Sequence, residues 1–468
     1  MINRILFLFA VASIASCNET TKESKASDDM VKLVTVDPGH FHAALVQKVM
    51  YDNVDSVVHV YAPEGNDLQL HLDRIKSFNT RTDNPTTWKE EVYTGTDYFE
   101  KMIAEKKGNV AVLAGNNQKK TEYILKSLEN GLNVLADKPM VINSEKFEML
   151  KKAFETAREK KLLLYDIMTE RFEITTILQR ELSMLPEVFG TLQKGTPNDP
   201  AVVMESGHCF YKYVSGNVVV RPGWFMDASQ QGQGIVDVTT HLVDLVQWEC
   251  FPEQSLDYTK DITVDNARRW PTNMNLTQFN TITKLNGFPG YLKKNVVNDT
   301  VLQVYSNGEI GYRIQGVHAK VKVQWDYTTD AAADTHYSIL KGTKVNLVIR
   351  QGKEENYKPV LYIEPAYPMN TDTAYEKILI EQLKKIQASY PGLGLKRRNG
   401  LGKGMTLIYK WEVIIPGKYK EGHEAHFGRV TKNFLEYLKN KNMPAWEVPN
   451  MLAKYYTTTK ALEIAKEK

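Results

Sequence analysis

Short apolar runs alternate with amphipathic stretches through the first third of the chain. Residues 31–36, 57–61, 110–114, 134–137 and 162–166 are apolar runs of strand length. Between them, 43–50, 67–78, 96–106, 119–130 and 143–160 carry apolar residues at helical spacing. Gly131 follows the fourth of these helices as a C-cap residue, and Asn143 or Ser144 caps the fifth. Strands that alternate with helices at this spacing predict a parallel, doubly wound sheet. The pattern changes in the second half. Residues 201–213, 262–266, 301–305, 311–314 and 319–325 alternate apolar with polar, and Gly-Asn, Asn-Gly and Asn-Asp turns punctuate them. That predicts a mixed or antiparallel sheet with one face on helices and one face free. The fold class expected is α/β, with a Rossmann-type domain over 31–168 and an α+β domain over 169–468.

Composition narrows the class without choosing a function. A chain of 468 residues with 42% hydrophobic and 25% charged residues is long enough for two or three globular domains. A net charge of +3 argues against a nucleic-acid tract. Three cysteines exclude a disulfide scaffold or a zinc ribbon. Cys209 and Cys250 are read as buried thiols or as a pair, with the sequence leaving both open.

The N-terminus has a different pattern. Arg4 precedes an apolar run over 5–14 that is too short to span a bilayer, and Ile14-Ala15-Ser16-Cys17 follows. This resembles a bacterial lipobox, which implies cleavage before Cys17 and acylation of that cysteine. Residues 18–30 are polar and charged and read as a flexible tether. The expectation is an exported lipoprotein on the periplasmic side of the cell envelope, touching the membrane through its lipid.

The candidate chemistry begins at strand ends. In an open α/β sheet, ligands bind at the C-terminal ends of the strands. There the chain places Asp37-Pro38-Gly39-His40-Phe41-His42, Ala62-Pro63-Glu64-Gly65, Gly115-Asn116-Asn117 and Asp137-Lys138-Pro139. The first of these sits where a dinucleotide fold has its glycine-rich phosphate loop. Gly39 matches the second glycine, whereas Asp37 replaces the first and His42 the third. Glu64 lies where an acid would bond the adenosine ribose. Further on, Gly232-Gln233-Gly234 precedes a helical pattern over 235–248, which puts Asp237 and His241 four apart on one face.

Val112-Leu113-Ala114-Gly115-Asn116-Asn117, the segment 128–134 and Asp137-Lys138-Pro139-Met140 resemble the Gfo/Idh/MocA family of sugar and polyol oxidoreductases. The match extends over about 31–248, with Asp137 in place of the family's usual Glu. The resemblance implies bound NAD or NADP, with Lys138, Asp237 and His241 as the catalytic group. It implies cofactor contacts from Asp37, Gly39, His40, Phe41, His42, Glu64, Ala114, Asn116, Asn117, Asp137 and Lys138. A homo-oligomer built through the large sheet follows from the same analogy.

The expected function is hydride transfer between NAD(P) and a hydroxyl of a sugar or glycoside. One alternative is a redox-neutral glycosidase that oxidises, eliminates and reduces back. Another is a non-catalytic sugar-binding lipoprotein, which the altered phosphate loop would favour. Three more stretches are rich in ligand-type groups, namely 221–225, 334–337 and 422–427. His336, His423 and His426 are weighed as metal ligands, but packed or capping histidines are commoner, and no metal is assigned.

Overall fold

A computed structural model describes residues 30–214, 217–327, 333–366, 373–401 and 407–467. Residues 1–29, which hold the expected signal segment, Cys17 and all but the last residue of the expected tether, lie outside the described residues. Among the described residues, no helix is long and apolar enough to cross a membrane.

The first domain is a six-stranded parallel sheet flanked by helices. Its elements run β1 (Leu33–Val36), α1 (His42–Leu45), β2 (Val57–Ala62), α2 (Asn66–Thr80), β3 (Lys89–Thr94) and α3 (Tyr98–Glu105). They continue with β4 (Val110–Leu113), α4 (Asn117–Glu129), β5 (Asn133–Asp137), α5 (Phe147–Lys160) and β6 (Leu164–Ile167). The strand order is β3-β2-β1-β4-β5-β6, all parallel. The order reverses between β1 and β4, and this switch point is where an open sheet makes its crevice. Strands β1 and β4 are buried along their whole length, which is why they read as unbroken apolar runs.

Two elements differ from the sequence reading. The helix expected over 43–50 is a single turn, His42–Leu45. Strand β3 was not anticipated, because Lys89-Glu90-Glu91-Val92-Tyr93-Thr94 is mostly polar and largely exposed. It closes the sheet edge, where charged side chains guard unpaired backbone groups.

The second domain follows α6 (Ile174–Ser183). It contains β7 (Val202–Cys209), the hairpin β8 (Tyr213–Val214) and β9 (Asn217–Val218), α7 (Thr239–Cys250) and α8 (Tyr258–Asp261). Then come β10 (Ile262–Asn275), α9 (Leu276–Thr283), β11 (Val296–Val297), β12 (Val301–Ile314) and β13 (Val317–Asp326). The last part holds β14 (Thr335–Lys341), β15 (Val345–Gln351), β16 (Val360–Pro365), α10 (Thr373–Gln387), β17 (Gly394–Leu401) and β18 (Leu407–Ile414). Two helices close the chain, α11 (His423–Asn440) and α12 (Glu447–Lys466).

The large sheet has the order β10-β12-β13-β7-β14-β15-β16-β18-β17, with β11 paired to β12. It is mainly antiparallel, and β13–β7 is parallel. Strand β13 is buried at every second residue, so one face is covered and the other open. Helices α6 and α7 pack on the covered face. The segments expected as separate strands over 301–305 and 311–314 are one continuous strand, and β10 extends well past the expected 262–266. No disulfide joins Cys209 to Cys250; the first is buried and the second half-buried.

The final two helices turn back to the first domain. On α11, Phe427, Val430 and Phe434 form one apolar stripe, and they join the core of the parallel sheet with Met451 and Tyr455 of α12. The C-terminal segment thereby lies against both domains beside the crevice.

Candidate active site

Strand β5 ends in the buried pair Asp137 and Lys138, followed by a cis Lys138–Pro139 bond. Lys138 Nζ donates to Asp237 Oδ1 at 2.6 Å, and both side chains are 8% exposed. Asp237 is not on the helix that the sequence pattern suggested. It sits in a turn just ahead of α7, while His241 is on the first turn of that helix. The other Asp237 oxygen accepts from Gln231 Nε2 at 2.9 Å. Gln231 is itself tied to the first domain, because its carbonyl accepts from Asn117 Nδ2 at 2.7 Å. Neighbouring Asn116 donates to Gln230 Oε1 at 2.8 Å. The loop after β4 therefore positions the turn that holds Asp237.

Electrostatics follow from this burial. Desolvation would raise the Asp237 carboxyl, but Lys138 and Gln231 outweigh it and hold Asp237 below the usual carboxylate range. Burial and then the Lys138 charge push His241 down to about 4, so its imidazole is neutral at neutral pH. His241 Nδ1 is buried without a hydrogen-bond partner among the described residues. A neutral imidazole beside a lysine is the form a proton acceptor needs.

These residues line a cleft of about 770 Å³ between the two domains. Seven of the ten histidines face it, namely His40, His42, His208, His241, His336, His423 and His426. Burial pushes His40, His42, His241, His336 and His426 below the ordinary histidine value, so the cleft is lined with imidazoles biased to the neutral, proton-accepting form. All three ligand-rich stretches noted in the sequence reach it, through Arg221 and Phe225, through Asp334, Thr335 and His336, and through residues 421–426. His336, His423 and His426 do not converge into a metal-ligand set; among the described residues that geometry belongs to His40, His42 and Asp137. Sequence reasoning missed Glu170, His208, Gln231 and Trp325. Their approach depends on sheet pairing and domain closure, and no local motif marks them.

The altered phosphate loop has its own explanation. Asp37 takes a left-handed conformation (φ 46°), and Tyr98 Oη lies 3.4 Å from its Oδ2. Burial, and then the neighbouring Asp67, raises its pKa above the usual aspartate value. Gly115 lets the loop pack on β4, since a Cβ there would lie 2.0 Å from the Asp37 carbonyl oxygen. The His40 amide donates to Ala114 O at 3.2 Å. At Gly39 a Cβ would lie 2.9 Å from Trp224 Cζ2 of the second domain, and the Trp224 indole donates to Asp67 Oδ2 at 2.6 Å.

Three adjoining hollows share residues and trace a path from Glu64 to Lys138. The first is bordered by Asp37, Pro38, Glu64 and Asp67, the second by Pro38, Gly39, His40, Phe41, Asp67 and Arg221, and the third is the cleft. The exposed Glu64 just after β2 suits a ribose diol. The residues fit an extended dinucleotide, with its reactive ring at the Lys138 end.

A parallel six-stranded dinucleotide fold, completed by a second domain that brings Asp237 and His241 to the lysine at the end of β5, defines an NAD(P)-binding oxidoreductase. Two family models agree. The oxidoreductase family with NAD-binding Rossmann fold (Gfo/Idh/MocA) matches residues 39–166, and the oxidoreductase C-terminal domain matches residues 178–466. The chain belongs to the Gfo/Idh/MocA family of oxidoreductases. A Parabacteroides merdae protein of known crystal structure, described only as an oxidoreductase, is 56% identical, with a TM-score of 0.89. That likeness covers 94% of this chain and 99% of the other. A levoglucosan dehydrogenase in complex with NADH and levoglucosan shares the fold at 11% identity and a TM-score of 0.57, over 93% of this chain and 97% of that one. A Thermotoga maritima protein does so at 13% identity and 0.55, over 93% and 98%. No curated protein matches the chain.

Proposed function

We propose that the protein oxidises a hydroxyl of a sugar or glycoside with NAD or NADP, and reduces the ketone in the reverse direction. The observation that carries this reading is the buried Lys138–Asp237 pair beside a neutral His241 at one cleft. The bound nicotinamide supplies the hydride acceptor. His241 takes the hydroxyl proton as the hydride leaves the carbon. Lys138 donates to the same oxygen and stabilises its developing negative charge. Asp237 orients Lys138, and Gln231 holds Asp237. Phe225 and Trp325 are covered by Arg221 and His208, so it is the polar groups around the cleft that suit sugar hydroxyls.

The pH profile tests the assignment of His241. Its folded pKa of about 4 lies below the ordinary histidine value, so kcat/KM should stay level from pH 8 down to roughly 5 and fall tenfold per unit below about 4. A limb near 6.5 instead would remove the buried His241 as the base. Linkage gives the matching sign for stability. The unfolded chain takes up this proton near pH 6.5 and the folded chain near 4, so stability declines as pH drops through that window.

A second reading is favoured by one further pair. His423 Nε2 lies 3.4 Å from Glu170 Oε1 and 3.3 Å from Thr169 Oγ1, and both His423 and Glu170 line the cleft. A glycosidase that oxidises the 3-hydroxyl, eliminates the aglycone and reduces back needs such a second proton-handling group. Purified protein supplied with glycosides decides between the two. A change at the nicotinamide absorbance band supports the dehydrogenase, product release with no net change supports the glycosidase, and neither response refutes both.

We also place the protein outside the cytoplasmic membrane, tethered by lipid on Cys17 and self-associated through the large sheet. A diacylglyceryl adduct on the N-terminal peptide, and a multimeric mass in solution, are the expected observations. An unmodified N-terminus or a monomer would overturn the corresponding part.

A further inference from the structure

We propose that His40, His42 and Asp137 form a binding site for a divalent metal of the zinc class at the edge of the cleft. Their donor atoms all lie within 4.8 Å of one another. His40 Nδ1 and His42 Nδ1 are 3.1 and 3.0 Å from the same carboxylate oxygen, Asp137 Oδ2. The other oxygen, Oδ1, is buried with no partner among the described residues. A carboxylate serving merely as acceptor for two imidazoles would gain more by giving each ring its own oxygen. Here both rings converge on one point and an acceptor is left over, which is the disposition of ligands around a shared ion.

The dimensions agree. Zinc–nitrogen bonds of about 2.0–2.1 Å in a tetrahedron put neighbouring ligand atoms about 3.4 Å apart, so small ring movements would admit the ion. The donor set of two imidazoles and one carboxylate suits zinc or a similar borderline cation and leaves one of four positions open. His40 and His42 line the cleft, so an oxygen from the cleft, either water or a hydroxyl of its occupant, completes the shell.

The scaffold is already fixed. The His40 amide is held by the Ala114 carbonyl at 3.2 Å, and buried Lys120 Nζ donates to the Asp137 carbonyl at 3.0 Å. Asp137 and His42 are 3% and 7% exposed, which argues against an accidental surface cluster. This geometry also accounts for residues in the phosphate loop that a plain dinucleotide site does not need. The inference stands apart from the choice of substrate.

The test uses the full chain, stripped with chelator, dialysed and titrated with zinc alone. One tightly held zinc per chain by elemental analysis is the expected result. Cobalt(II) in its place should give the intense visible bands of a four-coordinate ion. His42→Ala and Asp137→Asn should weaken zinc binding at least about 100-fold, while His336→Ala, elsewhere in the cleft, should keep it. If Asp137→Asn does not fold, His40→Ala and the wild-type cobalt spectrum still decide. Loss of zinc on dialysis, six-coordinate cobalt spectra, or wild-type affinity in His42→Ala would overturn the site. Titration with NAD on the same stripped protein separates the two readings. A chain that binds NAD but takes up no added zinc sinks the metal site alone, and one that takes up zinc but binds no NAD sinks the proposed hydride transfer alone.

Discussion

Lys138→Met is expected to lower turnover by about 10²- to 10⁴-fold, the range typical of losing a positioned proton-handling group. The lysine contributes in two ways. Its ammonium faces the oxygen that gains negative charge as hydride leaves, and it makes a 2.6 Å bond with Asp237. Removing it leaves a carboxylate that is 5% exposed with Gln231 as its remaining partner, so the substitution also destabilises by about 3–5 kcal/mol. The two effects separate in the double variant Lys138→Met/Asp237→Asn. With both charges gone, most of the lost stability should return, while turnover stays low. Recovery of turnover together with stability would show the pair to be structural, and the catalytic assignment would fall.

The second large effect lies away from the cleft. Lys454 of α12 is fully buried, with Nζ 2.7 Å from Asp166 Oδ2 and 2.8 Å from Asp244 Oδ1. Asp166 belongs to β6 of the first domain and Asp244 to α7 of the second. Arg171 forks onto Asp244 with two 2.7 Å bonds and reaches Glu447 at 3.0 Å. Three acids thus share two bases in a dry interior. Burial raises Glu447, which fits an acid with less than a full share of positive charge. Lys454→Met would leave three acids against one arginine and should cost about 3–5 kcal/mol of unfolding free energy in urea. A loss below about 1 kcal/mol would mean that the network relaxes by taking up protons. Because the same α7 carries His241, the variant should also raise KM through looser domain closure. Asp244 is held low by Arg171 and Lys454 despite its burial, so it contributes stability above the ordinary aspartate pKa that is lost as acid protonates it.

How much was legible in advance depended on how local the cause was. Strands β1, β4 and β5 are apolar because both faces are covered, so their pattern survives in the linear chain. Lys138 was identifiable because a proline and a strand end flank it. Asp237 and His241 were identifiable from their match to the pattern of the family the chain resembles, although the helix begins after Asp237. Strand β3 was not legible, since an exposed edge imposes no apolar pattern. The strands beyond β13 were not anticipated as one sheet, because their order is set by pairings between segments far apart in the chain. Lys454 lies in an ordinary-looking helix, and its complete burial exists only because Asp166 and Asp244 meet it from two domains. In the linear chain His40 and His42 read as part of a degraded loop, and only the fold brings Asp137 against both.

The sequence by itself determined the alternation of strands and helices, the dinucleotide class of the first domain and the three residues proposed for catalysis. The first rests on periodicity, and the other two rest on the resemblance of local motifs to the Gfo/Idh/MocA family. The tertiary structure decided which histidines share the cleft, how Gln231 fixes Asp237, and how α11 and α12 return to cover the first sheet. Those outcomes follow from burial and charge pairing between distant segments, where a residue's role depends on what the fold places opposite it.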